Sequence, residues 1–239
     1  MRRIAVLASG GIDSTVLAFK LAQEGHQIYL VFVRAGHPWE EAELSALGKI
    51  LKAMDERHPG NPYNLYGPKV LLLPMEDVYR REDWSLSGKN VPDDRAPDAA
   101  VEILGRNIVL LSKTAIYCAL EGIPAMAIGS LAGNPFPDAS PEFFKLGSAW
   151  FNMGLRTKLE VLAPFRDLSK DRVIKIGVEL GIPLEFTLTC NNPQQISSDA
   201  WIHCGHCNKC AERARGFEKA GVEDKTLYQR REGEAYESR

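Results

Sequence analysis

Cys204-Gly205-His206-Cys207-Asn208-Lys209-Cys210 sets three thiols two residues apart, with Cys190 upstream. That spacing turns successive thiolates toward one point, and Gly205 permits the tight bend. A fourth thiolate from Cys190 closes a tetrahedral all-cysteine site with no open position, which is the pattern of a structural zinc rather than a catalytic one. An iron–sulfur cluster is the rival reading, because closely spaced cysteines suit it too. With four thiols available, His203 and His206 are expected beside the metal or toward solvent. Cys118, inside Ile116-Tyr117-Cys118-Ala119-Leu120, reads as a small buried hydrophobe.

The second chemical feature is Ala8-Ser9-Gly10-Gly11-Ile12-Asp13-Ser14-Thr15, which follows a short apolar run. Paired glycines let backbone N–H groups turn inward and admit an anion where a Cβ would block it. The helix that follows adds its positive N-terminal end, and Ser9, Ser14 and Thr15 offer hydroxyls. The plainer alternative is a tight turn in which Asp13 or Ser14 caps the helix. The chain has neither the G-x-x-x-x-G-K-[ST] loop of γ-phosphate-transferring enzymes nor the G-x-G-x-x-G dinucleotide fingerprint.

Both features need a scaffold. Short apolar runs alternate with helix-like stretches, which predicts an α/β fold with a doubly wound parallel sheet. Strands are expected at residues 4–8, 27–33, 70–73, 125–129 and 159–162, and helices at 14–24, 39–57, 99–121 and 169–180. Gly25, Gly122 and Gly181 supply helix stops. Residues 58–67 read as a surface loop, 83–97 as a long irregular loop, and 229–239 as a frayed charged tail. Residues 1–185 form the expected α/β domain, and residues 186–228 a metal-binding helical segment packed on it. In such a sheet, the crevice at the strands' C-terminal ends is where ligands bind.

Composition excludes other classes. The 239 residues carry 29 Lys+Arg against 31 Asp+Glu, a net charge of −2, so a polyanion-coating or membrane-surface protein is not expected. No run of apolar residues is long enough for a secretory leader or a membrane span. An odd, clustered set of five cysteines points to metal chemistry in a reducing compartment, so a cytoplasmic location is expected.

Ser9-Gly10-Gly11-Ile12-Asp13-Ser14 resembles the pyrophosphate loop of the N-type ATP pyrophosphatases. That likeness implies a Rossmann-like domain of the adenine nucleotide alpha hydrolase type, ATP with magnesium, and an adenylated intermediate. Asp13 then either holds magnesium or pyrophosphate, or caps its helix. With the cysteine cluster added, the chain resembles the 7-cyano-7-deazaguanine synthase family over most of its length. Gly105-Arg106-Asn107 is similar to that family's Pro-Gly-Arg-Asn, opening a long helix. Phe136-Pro137-Asp138-Ala139-Ser140-Pro141-Glu142-Phe143 is similar to its Tyr-Pro-Asp-Cys-Arg-Pro-Glu-Phe. Thr187-Leu188-Thr189-Cys190 is similar to its Thr-Trp-Ser-Cys, and Phe217 to Val222 continue the family's end.

The resemblance implies ATP-driven conversion of 7-carboxy-7-deazaguanine and ammonia to the nitrile, with one structural zinc per chain on Cys190, Cys204, Cys207 and Cys210. Asp13, Arg106 and Lys170 are the catalytic candidates it suggests, with residues 8–15 and Lys170 around ATP. Arg106, Asn107 and Asp138 are the candidates around the acid. Each has a plainer reading: Lys170 as a solvated first-turn lysine, Arg106 and Asn107 as helix capping, Asp138 as turn chemistry. No membrane or nucleic-acid partner is implied, and a homodimer is common in that family.

Three departures bear on the substrate. Phe32-Val33-Arg34-Ala35-Gly36-His37 stands where the family has Phe-Asp-Tyr-Gly-Gln-x-His. Ala139-Ser140 replaces Cys-Arg, which removes a cation, and thirteen residues separate Cys190 from Cys204, a longer linker than usual. The alternatives are therefore a paralogue that stops at the amide or joins another amine, an adenylating enzyme of tRNA bases, and a zinc-stabilised nucleotide-binding module.

Overall fold

The computed structural model describes residues 1–229, so the charged tail expected from residue 229 lies, beyond Gln229, outside the described residues. Five strands form the central sheet: β1 (Arg3–Leu7), β2 (Gln27–Arg34), β3 (Leu65–Leu72), β4 (Ala125–Ala127) and β5 (Glu160–Leu162). Their order is β3-β2-β1-β4-β5 and every neighbouring pair is parallel. Alternation along β1 explains why its whole run is apolar. Ile4 and Val6 pack into one core, with α1 (Ile12–Gln23) and α6 (Lys170–Glu179), while Ala5 and Leu7 pack into the other, with α4 (Arg106–Glu121) and α5 (Pro141–Leu155). The strand order reverses between β1 and β4, and there the loop after β1 faces the end of β4.

The remaining elements are α2 (Glu40–Arg57), the one-turn α3 (Trp84–Ser87), a small antiparallel pair β6 (Gln194–Gln195) and β7 (Trp201–Ile202), and α7 (Asn208–Ala220). Helix α7 lies along α6, and its Phe217 and Ala220 join the core that holds Val173 and Ile174. Among the described residues, no helix is long and apolar enough to cross a membrane.

The doubly wound parallel sheet is as expected; the larger differences lie in β3, α3, α4 and α5. Strand β3 begins at Leu65 rather than at residue 70, because the backbone passes through Gly67-Pro68 with a register irregularity opposite Tyr29/Val31. A proline is tolerated there since β3 is an edge strand, and the surface loop shrinks accordingly. The helix expected from residue 99 starts at Arg106: residues Asp98–Val101 form a separate 3-10 turn, and Gly105, at φ +74°, breaks the chain before α4. The long loop at 83–97 contains α3. Helix α5 is not among the expected helices, although Ser140-Pro141-Glu142 is a helix-start pattern. The Ser140 hydroxyl accepts from Phe143 N at 3.2 Å. Exposed Leu146, Trp150 and Met153 blur its polar face.

Arg213 fastens the C-terminal segment. It is 1% exposed and donates to Thr187 Oγ1 (2.8 Å), Leu184 O (2.9 Å) and Thr226 Oγ1 (2.5 Å), with Asp224 at 3.3 Å and its guanidinium 4.8 Å from the centre of the Phe217 ring. Arg213→Met leaves the Asp224 carboxylate, with only 10% of its side chain exposed, without its cation, and is expected to cost about 3–5 kcal/mol. Urea titration checks it; a loss below about 1 kcal/mol contradicts this account.

Candidate functional site

The loop after β1 is clamped from two sides. Gly10 has φ +76°, and a Cβ there would stand 2.5 Å from Glu43 O and 2.9 Å from Leu47 N, both backbone atoms of α2. A Cβ on Gly11 would meet Leu188 O at 3.2 Å, and Leu188 N donates to Gly10 O at 2.9 Å. Gly11 is the N-cap of α1, and no side chain caps that helix. This overturns the alternative in which Asp13 or Ser14 caps it: both lie inside the first turn, where the Ser14 hydroxyl accepts from Ser9 N at 3.2 Å. Uncapped first-turn N–H groups at a positive helix end suit an anion.

Beside this loop opens a cleft of about 290 Å3. Ala8, Ser9, Gly11, Ile12, Asp13 and Ser14 line it. Two of the expected loop residues do not: Gly10 backs onto α2, and Thr15, 2% exposed, is buried within α1. The Thr15 hydroxyl is buried without a hydrogen-bond partner.

Lys170 reaches the same cleft from the start of α6. Its Nζ lies 2.7 Å from Asp13 Oδ2 and 3.0 Å from Glu212 Oε1, with only 15% of the side chain exposed, so it is not a solvated first-turn lysine. Glu212 also pairs with Lys209 at 2.6 Å. Burial works to raise the Glu212 carboxyl, but Lys170 and Lys209 outweigh it and hold it near 2. Sequence reading missed Lys209 and Glu212, because the cysteines dominate the pattern of that segment.

The other end of the cleft holds Arg106, Asn107 and Asp138. Asp138 accepts from Asn107 N at 2.9 Å (Oδ2) and from Asn107 Nδ2 at 3.2 Å (Oδ1). Its carboxylate thus caps α4 from 31 residues away. Arg106 Nε is buried without a partner. Trp39, Trp84 and Glu43 line the cleft too, and none of them stands out in the sequence. The three rings His37, Trp39 and Trp84 stack in series, at 4.8 Å and 5.6 Å between centres. Burial pushes the Glu43 carboxyl up to about 8, with Arg106 pulling the other way and Glu40 adding to the rise. His37 enters the sequence reading only as part of a departure; a histidine beside a tryptophan at a strand end is the available signal.

The four cysteines converge as expected. Their sulfurs all lie within 4.8 Å of one another, all four residues are buried, and the Cys190–Cys207 and Cys204–Cys210 separations are both 3.9 Å. A tetrahedral ion with metal–sulfur bonds of about 2.3 Å sets its sulfurs about 3.8 Å apart. A cluster with several metal atoms between the thiolates holds them wider. Backbone N–H groups of Asn192 and Cys204 both donate to Cys190 Sγ at 3.3 Å, which favours a thiolate. Hydrogen bonds among the four thiols share their protons unevenly, lowering Cys204 and Cys207 and raising Cys190 and Cys210 while the cluster holds protons. His203 and His206 stay off the cluster: His203 Nε2 accepts from Thr189 N at 3.2 Å, and His206 Nδ1 lies 2.7 Å from Cys204 O. Cys118 is fully buried, and burial pushes its thiol up to about 12, so it is an inert part of the core.

A Rossmann-like α/β sheet with an uncapped glycine loop at its switch point, joined to a four-cysteine cluster, defines the class. A family model described as Queuosine biosynthesis protein QueC matches residues 3–221, and the chain belongs to that family. A 7-cyano-7-deazaguanine synthase of Methanothrix thermoacetophila is 30% identical over 243 residues, covering 96% of this chain and 100% of the relative. One from Stenotrophomonas maltophilia is 29% identical over 242 residues, covering 95% and 100%. A solved structure described as a predicted subunit of tRNA methyltransferase from Methanocaldococcus jannaschii aligns over 97% of this chain and 94% of its own, with TM-score 0.48 and 16% identity.

His37 gives a pH test. Its Nδ1 sits 2.8 Å from Ser85 O, a carbonyl that only accepts, so Nδ1 carries the proton, and Nε2 is buried without a partner. Burial, then Arg106, lowers its pKa from 6.5 to about 4. Between those values the unfolded chain binds a proton that the folded chain refuses, so stability falls as pH drops from 6.5 toward 4. His37→Gln should lose less stability than the parent over that window in urea titrations; an identical slope refutes the assignment.

Proposed function

We propose that the chain is an ATP-dependent carbon–nitrogen ligase that converts 7-carboxy-7-deazaguanine and ammonia to 7-cyano-7-deazaguanine through an adenylated intermediate. The observation that carries this is a single cleft with the glycine loop at one end and Arg106 at the other, so an acid and the α-phosphate of ATP can meet inside it. Membership of the family and the names of its relatives support the substrate. The loop N–H groups and Lys170 bind the phosphates, Arg106 orients the acid, and Asp13 offers its free Oδ1 to magnesium. Magnesium, when bound, neutralises phosphate charge. The carboxylate oxygen attacks the α-phosphorus and pyrophosphate leaves; ammonia displaces AMP to give the amide. The amide oxygen then attacks the α-phosphorus of a second ATP, releasing pyrophosphate and a proton, and loss of AMP with a second proton forms the nitrile.

The same reading assigns one structural zinc per chain to Cys190, Cys204, Cys207 and Cys210, supported by sulfur spacing that matches one tetrahedral ion. It also divides the chain into an α/β domain over 1–185 and the zinc segment 186–228 packed on it.

A paralogue that stops at the amide is the second reading. It is favoured by Ser140, which stands where the resembling family has arginine and spends its hydroxyl on the start of α5. Purified protein incubated with ATP, magnesium, ammonium and 7-carboxy-7-deazaguanine decides by product mass. The nitrile is expected; amide alone selects the second reading, and unchanged acid without pyrophosphate rejects both. Asp13→Asn is expected to lower kcat/KM about 100-fold, measured by pyrophosphate release, with zinc content by mass spectrometry unchanged at one per chain.

A further inference from the structure

Two lysines and two carboxylates form a continuous chain along the loop end of the cleft. Asp13 Oδ2 lies 2.7 Å from Lys170 Nζ, Lys170 Nζ 3.0 Å from Glu212 Oε1, and Glu212 Oε2 2.6 Å from Lys209 Nζ. All four side chains line the cleft. Asp13 belongs to α1, Lys170 to α6, and Glu212 and Lys209 to α7, so the chain of charges links three helices that also share one apolar core. We propose that Glu212 is a positioning residue for the nucleotide phosphates: it holds Lys170 and Lys209 together beside the glycine loop, and so gives α7 a share of the triphosphate site.

Electrostatics gives such a group a task. Without Glu212, Lys170 keeps Asp13 at 2.7 Å but Lys209 loses its carboxylate, and two ammonium groups gathered near one phosphate path repel each other before the phosphates arrive. A carboxylate between them, with one oxygen on each, removes that repulsion and keeps both cations aimed at the loop. Glu212 also has an anchor one turn away. A Cβ on Gly216 would stand 2.6 Å from Lys170 Cγ and 3.1 Å from Ile174 Cδ1. The Lys170 stem therefore lies flat on the surface of α7, which only glycine permits, and four residues earlier on the same helix face Glu212 meets its ammonium. Stem and head of Lys170 are both set by α7. Helix α7 in turn starts at the cysteine cluster, with Cys207 as its N-cap and Cys210 in its first turn.

This inference rests on the nucleotide reading above, and the sign of one variant separates the two. Glu212 is an anion beside the path of a polyanion, so a passive ion-pair partner would repel ATP, and its neutralisation would leave binding equal or tighter. A positioning residue gives the opposite sign. Calorimetry with magnesium-ATP, inorganic pyrophosphate and adenosine on the full chain is the test, with melting temperature and bound metal measured for each variant. Wild type is expected to bind ATP, and Glu212→Gln to bind ATP and pyrophosphate roughly tenfold more weakly with adenosine unchanged. Lys209→Met should weaken ATP similarly, and the double variant should fall short of the summed losses because the two residues act as one unit. ATP binding by Glu212→Gln that equals or exceeds wild type overturns the proposal and leaves the nucleotide reading standing. Wild type that binds neither ATP nor pyrophosphate removes both.

Discussion

The glycine loop has no room for side chains on either flank, and much of the molecule is arranged by that fact. Gly10 presses on the backbone of α2 at Glu43 and Leu47, and Gly11 presses on the carbonyl of Leu188. A Cβ on Gly129 would likewise stand 3.0 Å from Asp13 C and 3.1 Å from Ser14 N, so the chain leaving β4 touches the first turn of α1. Three separate stretches of backbone thus meet around one loop. Seating α2 against Gly10 brings Trp39 and Glu43 into the cleft wall. Seating Leu188 against Gly11 delivers Cys190 two residues later, at the cysteine cluster. The loop that suits phosphate and the cluster that suits a metal are therefore held at a fixed separation by backbone contacts rather than by long side chains.

Charge is organised on the same scale. The whole chain is nearly neutral, at −2, yet Lys170, Lys209 and Arg106 all stand along one cleft with the positive end of α1. Asp13 and Glu212 balance the two lysines when no anion is present. In a partly enclosed cleft such charges interact more strongly than at the surface. A local positive potential is consequently compatible with a composition that argues against general polyanion binding.

How much of this is legible in advance depends on the range of the interaction. Ile4 to Ala8 is apolar on both faces because the strand is buried on both, so the central strand and the loop after it can be read directly. Four cysteines with short spacings announce their own convergence. Leu65 to Gly67 are hidden in β3 because Gly67-Pro68 looks like a turn, and only pairing with β2 makes it an edge strand. Helix α5 carries a start signal at Ser140-Pro141 but exposes Leu146, Trp150 and Met153, so its periodicity does not stand out. Glu212 and Glu43 are ordinary helical glutamates in sequence; their partners lie on other helices, and nothing local distinguishes them. Trp84 belongs to a segment that reads as irregular and becomes a cleft wall through partners distant in sequence, stacking on Trp39 while His37 bonds the neighbouring Ser85 carbonyl. Asn208 N donates to Pro92 O at 2.9 Å and Asn208 Nδ2 to Ala96 O at 2.8 Å, which ties the loop at 83–97 to the helix after the cluster.

Asp138 shows how a candidate site residue can also hold the fold. Gly105 turns the chain into α4 at φ +74°, a conformation that suits glycine but leaves the helix without a side-chain cap of its own. The open N–H of Asn107 must then be satisfied from elsewhere, and Asp138 does it, taking the Asn107 side-chain amide as well. The carboxylate named among the candidates around the acid is in this way engaged in fastening the 136–140 loop across the start of α4. Arg106, one residue before the capped amide, is left with its Nε buried and unpartnered at the cleft wall. The glycine, the distant aspartate and the arginine are one device: the first bends the chain, the second secures the bend, and the third is thereby set at the cleft wall with its Nε unpartnered.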